Sequence, residues 1–233
     1  MRGWRAAVAA LAALAPAAAA ADAPRPCRLA LALALDISAS VDAREYAIQI
    51  GGLAAALRAP DLREAILSQG GEVWLAVYEW SGWQQQDLIA DWAPLRRPAD
   101  IDALAARLDA HARPYADFST SIGRALAYGA DLFRRLPAVC DRRVIDVSGD
   151  GAHNDGVAPA EVRASGALAG ITVNALVVAG AVPPPAPHYE REVLHGPGAF
   201  LLVARGGFAD YPELIRAKLL REIRPPHLLG ALR

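Results

Sequence analysis

Residues 36–40, "DISAS", place a carboxylate and two hydroxyls, Asp36, Ser38 and Ser40, at every second position as a strand-like apolar run ends. Two further clusters of small oxygen-bearing side chains follow: Ser119-Thr120-Ser121 and Ser148-Asp150-Asp155. Carboxylate and hydroxyl oxygens without histidine or thiolate suit a hard divalent cation, Mg²⁺ most naturally, with Mn²⁺ or Ca²⁺ as alternatives. Hydroxyls do not cancel the ion's charge. A cation held by two carboxylates and several neutral oxygens therefore stays electrophilic and attracts an acidic group from outside.

These clusters must be carried to one place by the surrounding elements. Residues 28–36 are an almost continuous apolar run, as expected of a strand covered on both faces. From Val41 the period changes: Tyr46, Ile50, Leu53 and Leu57 fall three or four apart, predicting a helix over 42–58. A second short helix begins at Pro60 and ends at "SQGG". Residues 72–80 read as a strand, "SGWQ" as a turn, and the segment to Trp92 as a returning strand, a hairpin at the sheet edge. A helix is expected over 99–110, and another starting near Thr120 with Ile122, Leu126, Gly129 and Phe133 inward.

Residues 142–148 read as a buried strand that ends in a polar, glycine-rich turn. A helix over 159–169, a strand over 171–179 and a proline-rich excursion, "GAVPPPAP", come next. A short strand in "GAFLLVA" precedes the final helix, for which Asp210 and Glu213 predict a capping box, with Ile215, Leu219 and Ile223 inward and Pro225 and Pro226 as the stop. Strands alternating with helices at this spacing give an α/β chain: a three-layer, Rossmann-like open sheet, mostly parallel, with helices on both faces. Ligands in such sheets gather outside the carboxyl ends of the strands. The three clusters meet there if the strands at 28–36 and 142–148 are neighbours.

Plainer uses exist for the same residues. Asp36 and Ser40 could cap the following helix, Thr120 could be a helix cap, and Asp150-Gly151 an ordinary turn. A serine hydrolase would need a G-x-S-x-G elbow, which "DVSGD" around Ser148 lacks, and His153 with Asp150 and Ser38 makes a triad only on paper. A metal-dependent hydrolase of phosphate or carboxylate esters remains the alternative in the enzyme class, without an evident nucleophile or lysine clamp. No G-x-G-x-x-G follows the first strand, which removes the usual dinucleotide loop.

Of the 233 residues, the first 21 read as a secretory signal peptide: Arg2 and Arg5, an Ala/Leu-rich stretch, then small residues ending at Ala21. Residues 22–233 are then expected to form a single domain in the periplasm or outside the cell. "APRPC" puts charge and prolines where a lipid-anchor signal needs small apolar residues around Cys27. No later stretch is long and apolar enough to predict a membrane span. The formal charge of -1 carries no basic stripe, which argues against nucleic acid as a partner. Cys27 and Cys140 fit no zinc motif and either pair or remain buried thiols. Trp80 and Trp83 flank the hairpin turn, so either could stand beside the clusters as an interface anchor or simply pack the turn.

Asp36-x-Ser38-x-Ser40, a distant Thr120 in "TSIGRAL" and Asp150 in "VIDVSGDG" resemble the von Willebrand factor type A (vWA) domain with its metal-ion-dependent adhesion site (MIDAS). "EWSGWQQ", "RRVIDVSGDGAHNDG", "HGPGAF" and "KLLREI" are similar, more closely, to exported vWA-like proteins grouped as DUF1194. The resemblance runs from about Cys27 to Ile223. It implies that Asp36, Ser38, Ser40, Thr120 and Asp150 form a metal floor whose open position takes an Asp or Glu of a protein ligand, as in an adhesion module. It also implies that the final helix shifts with ligand. The turn "SGDGAHNDG" is more acidic than the family's, so Asp155 with Asn154, and Ser121 beside Thr120, are candidate outer-shell groups. In the vWA arrangement the strands after Cys27 and Cys140 are parallel neighbours, which implies a Cys27–Cys140 disulfide at the edge opposite the metal.

Overall fold

The computed structural model describes residues 25–224. The expected leader over residues 1–21, and the stop at Pro225 and Pro226, lie outside the described residues. The first strand, β1 (Cys27–Asp36), is buried almost throughout. Its alternation has a packing consequence. Leu29, Leu31, Leu33 and Leu35 enter one core, whereas Ala30, Ala32 and Ala34 enter the other, where Tyr78 and Trp80 from the next strand also pack.

The helix α1 (Ala43–Arg58) is started by Asp42, whose side chain accepts from the backbone N–H of Arg44 and Glu45 while Glu45 closes the capping box. Asp36 and Ser40 are thereby left free of capping duty. Pro60 opens α2 (Pro60–Leu67), followed by β2 (Glu72–Trp80), β3 (Gln86–Pro94) and α3 (Pro98–Asp109). Then come α4 (Ile122–Arg134), β4 (Arg143–Gly149), α5 (Pro159–Ala164) and β5 (Thr172–Val178). The chain closes with α6 (Ala186–His188), which continues as a π turn over Tyr189–Val193, then β6 (Leu201–Ala204) and α7 (Tyr211–Ile223).

The described strands form one sheet in the order β3-β2-β1-β4-β5-β6, parallel except for the β2–β3 hairpin. Helices α1, α2, α3 and α7 pack on one face; α4, α5 and the π turn pack on the other. The three-layer α/β expectation is met. From β1 the chain builds outward to β2 and β3, then returns to place β4 on the other side of β1, so the strand order reverses between β1 and β4.

Three local expectations need correction. The helix expected over 159–169 ends at Ala164, because Gly166 has φ 79°, a left-handed conformation that stops a helix. Asp210 makes no capping bond to α7; its carboxylate accepts from Gly206 N–H at 2.7 Å and closes the preceding 3₁₀ turn instead. Ser148 faces α7, where its hydroxyl meets Tyr211 Oη at 3.0 Å. Cys27 and Cys140 form a disulfide where the chain enters β1, at the sheet end opposite Asp36.

Candidate metal centre

Asp36 and Asp150 stand at the carboxyl ends of two adjacent parallel strands, since β1 pairs with β4 up to Leu35↔Ser148. The loop after β1 is held from several sides. Asp36 Oδ1 accepts from Ser38 N–H at 2.7 Å, Gln49 Nε2 donates to the Asp36 carbonyl at 2.9 Å, and Ile37 N–H donates to Trp80 O at 2.9 Å. The Arg113 guanidinium donates to the Ile37 and Ser38 carbonyls at 2.8 and 3.0 Å. Fixed in this way, Ser38 Oγ lies 3.1 Å from Ser40 Oγ, and Ser40 Oγ donates to Asp150 Oδ1 at 2.6 Å.

Thr120 arrives on the loop before α4. Its backbone is clamped by Asn154, whose Oδ1 accepts from Thr120 N–H at 2.8 Å and whose own N–H donates to the Thr120 carbonyl at 3.0 Å. Gly151 lies between the partners: a methyl group added there would sit 3.4 Å from Thr120 Oγ1 and 3.9 Å from Ser40 Oγ. Glycine is required at 123, where any β-carbon would collide with the Val157 carbonyl. The first turn of α4 can therefore lie flat on the loop that carries Asn154.

The charge at this place is uncompensated within the described protein. Asp36 is fully buried, and burial, with the Asp150 carboxylate beside it, pushes its carboxyl up to about 7. Burial also raises Asp150, against the lowering effect of the Ser40 hydrogen bond. Asp36 Oδ2 has no hydrogen-bond partner among the described residues. A buried carboxylate with one unpaired oxygen, beside a second carboxylate whose charge helps to raise it, fits a divalent cation, which would offset that repulsion. Asp36, Ser38, Ser40, Thr120 and Asp150 could hold one between them.

The candidate outer residues divide. Asn154 holds the Thr120 loop, as described. Asp155 accepts from Trp83 N–H at 2.9 Å, and Ser121 Oγ donates to the Asp155 carbonyl at 2.7 Å, so both tie the hairpin turn to the loops around it. Trp80 cannot be a surface anchor: it is fully buried, on the face of β2 shared with Ala76 and Tyr78. Trp83, by contrast, is 55% exposed, and Phe118 is 40% exposed. A β-carbon on Gly82, the neighbour of Trp83, would lie 3.4 Å from Phe118 Cβ, so the two aromatics belong to one rim. Beside Ser40 and Asp150 a groove of about 320 Å³ opens between Glu45 and the chain at Val178–Ala181. Among the described residues no hydrogen bond joins His153 to Ser38 or Asp150, and its Nδ1 is unpaired, so the paper triad is not assembled.

Sequence reasoning passed over a second group. Ligand atoms of Glu79, Asp87 and His111 all lie within 4.8 Å of one another. The three residues are scattered over two strands and a loop, and only the hairpin register reveals them.

A family model described as "Protein of unknown function (DUF1194)" matches residues 26–227. No curated protein matches the chain by sequence. Among solved structures, it is similar to a von Willebrand factor type A protein from Catenulispora acidiphila, with a TM-score of 0.58 at 16% identity over 84% of this chain and 43% of that one. It is similar also to proximal thread matrix protein 1 from the mussel byssus with a zinc-occupied MIDAS motif, with a TM-score of 0.59 at 15% identity over 85% and 46%. The pilus adhesin SpaC from Lactobacillus rhamnosus GG gives a TM-score of 0.59 at 11% identity over 86% and 31%. The chain spans less than half the length of each of these solved chains. At such identities the likeness shows the fold, which is vWA-like.

Proposed function

The chain belongs to the DUF1194 family, and from that premise we propose that it is an exported vWA-like binding domain that holds a divalent cation and uses it to capture an acidic side chain of a protein partner. Asp36, Ser38, Ser40, Thr120 and Asp150 supply the cation's protein ligands, and a position left open takes an Asp or Glu carboxylate from the partner. The observation that carries this reading is the buried Asp36 carboxylate, with Oδ2 unpaired, set against Asp150 and the linked hydroxyls of Ser38 and Ser40. The oxygen-only donor set favours Mg²⁺. The zinc in the mussel protein's MIDAS motif makes the choice of ion a matter for measurement.

Around the ion, Trp83 and Phe118 offer exposed aromatic surface, the kind of anchor that dominates many interfaces. In this reading the first 21 residues direct export and are removed, residues 22–233 act as one domain, and the Cys27–Cys140 disulfide suits the periplasm or the exterior. Among the described residues no helix is long and apolar enough to cross a membrane. The alternative, a metal-dependent ester hydrolase, would need a nucleophile or an activated water beside the ion, and His153, bonded to neither Ser38 nor Asp150, offers no base for one.

The test is a cross-linked pull-down from envelope extract with Mg²⁺ and with chelator, repeated with Asp36→Ala, Thr120→Ala and Trp83→Ala proteins. The reading requires a prey lost with chelator and in the first two variants, and weakened in the third while cation binding is unchanged. Turnover of a generic phosphoester that is lost with Asp36→Ala would favour the hydrolase instead.

A further inference from the structure

Glu79 on β2 and Asp87 on β3 are direct partners across the antiparallel hairpin, so their side chains share one face of the sheet. Like charges directly opposite each other destabilise such a pair. Here the arrangement is more costly, because Glu79 is 0% exposed and burial raises its carboxyl above the ordinary range, with the Asp87 charge adding to the effect. His111, just past the end of α3, comes down on the same spot: its Nε2 lies 2.9 Å from Glu79 Oε2. Tyr46 Oη donates to the other oxygen, Oε1, at 2.7 Å.

Few groups nearby can balance this charge. Arg113 lies over the Tyr46 ring, and its Nη2 is committed to the Ile37 and Ser38 carbonyls. The Asp87 side chain makes no hydrogen bond or ion pair among the described residues. One proton shared between His111 and Glu79 leaves the cluster a full negative charge in excess. A divalent ion in place of that proton, with a neutral imidazole and two carboxylates around it, brings the sum to zero. The 2.9 Å between Nε2 and Oε2 is a hydrogen-bond distance, about half an ångström short of the roughly 3.4 Å between two tetrahedral ligands at about 2.0–2.2 Å, so the pair must open slightly to admit the ion.

We propose that Glu79, Asp87 and His111 form a second cation site, separate from the Asp36 centre and suited to Zn²⁺. The nitrogen ligand is what distinguishes it: imidazole with carboxylates suits Zn²⁺, whereas the oxygen-only centre suits a hard ion. Three protein ligands leave one tetrahedral position for water. The site ties the start of the loop over 111–121 to the hairpin. Further along, that loop reaches the first centre through Arg113, through the Phe118 carbonyl that accepts from Ala39 N–H, and through Thr120.

The test is calorimetric titration of Zn²⁺ into metal-free protein. Because Zn²⁺ can also enter the first centre, the wild type is compared with Asp36→Ala, Asp87→Asn and the double variant; Asp87→Asn preserves shape and leaves the Tyr46–Glu79–His111 contacts in place. The expected result is two Zn²⁺ for the wild type, one for either single variant and none for the double. An Asp36→Ala protein that takes up no Zn²⁺, or a double variant that binds as tightly as Asp36→Ala, overturns the second site. Should Asp36→Ala misfold, the wild type against Asp87→Asn decides: equal stoichiometry in those two also overturns it. Failure of the first centre shows separately, as Asp36→Ala matching the wild type.

Discussion

Ser40 Oγ donates to Asp150 Oδ1 at 2.6 Å, joining two loops that are 110 residues apart in the chain. Ser40 is exposed, so the bond stands at the mouth of the centre rather than in its floor. Ser40→Ala removes a ligand and this tie together, without disturbing the core. Cation affinity is expected to fall at least about tenfold, which is about 1.4 kcal/mol, with stability within about 0.5 kcal/mol of the wild type. Calorimetry and denaturant unfolding check the two halves.

Asn154 is expected to matter as much as a ligand, although it holds only the backbone of Thr120. Groups that orient ligands typically account for about 10–100-fold in metal affinity. Asn154→Ala should therefore weaken cation binding by an amount in that range, as read by titration. An unchanged affinity would mean that the Thr120 loop is positioned without it.

The final helix carries a buried ionic cluster. Lys218, 0% exposed, pairs with Asp146 and with Glu222, and Glu222 also accepts from Asn174 Nδ2 at 2.7 Å. Burial and the Glu222 charge raise Asp146 from 3.8 to about 8, outweighing Lys218. Raised in this way, the native Asp146 keeps a proton that the unfolded chain gives up near pH 4. Stability should therefore decline as pH rises between about 4 and about 8. Asp36, up to about 7, adds to the same trend in metal-free protein. Thermal midpoints across this window should fall less steeply for Asp146→Asn than for the wild type; identical slopes would contradict the assignment. Removing Lys218 alone, as in Lys218→Met, leaves buried charge uncompensated and should cost about 3–5 kcal/mol.

The disulfide closes a separation of 113 residues. Cross-links of this kind stabilise by roughly 2–4 kcal/mol, chiefly by restricting the unfolded chain. A Cys27→Ser/Cys140→Ser protein should unfold at lower denaturant by that amount. Intact mass with and without reduction should show the pair oxidised in exported protein.

Much of this was legible in the chain because it rests on local patterns. The apolar run into Asp36 marks β1, and alternation of strand and helix gives the layered sheet. D-x-S-x-S and Asp150 then fall at the carboxyl ends of β1 and β4, with Thr120 on the loop before α4. What could not be read depends on pairing and on side-chain direction. Trp80 looked available because it borders a turn, but as the last residue of β2 its parity sends it into the core with Tyr78. The Glu79↔Asp87 pair lies one step from Trp80↔Gln86 at the turn, but that His111 joins it from a remote loop is announced by no spacing. Lys218 and Glu222 sit beside the apolar line Ile215, Leu219 and Ile223 on α7, and nothing in that spacing announces their buried partners, Asp146 on β4 and Asn174 on β5. Asp210 had the right spacing to Glu213 for a cap, but a closer backbone donor at Gly206 claims its carboxylate.

The most direct test of the first centre is calorimetric titration of Mg²⁺ into metal-free, folded protein. The expected result is one ion per chain, with uptake abolished by Asp36→Ala and by Thr120→Ala. Absence of Mg²⁺ uptake by the wild type, or an Asp36→Ala protein of native circular dichroism that binds as the wild type does, would contradict the account.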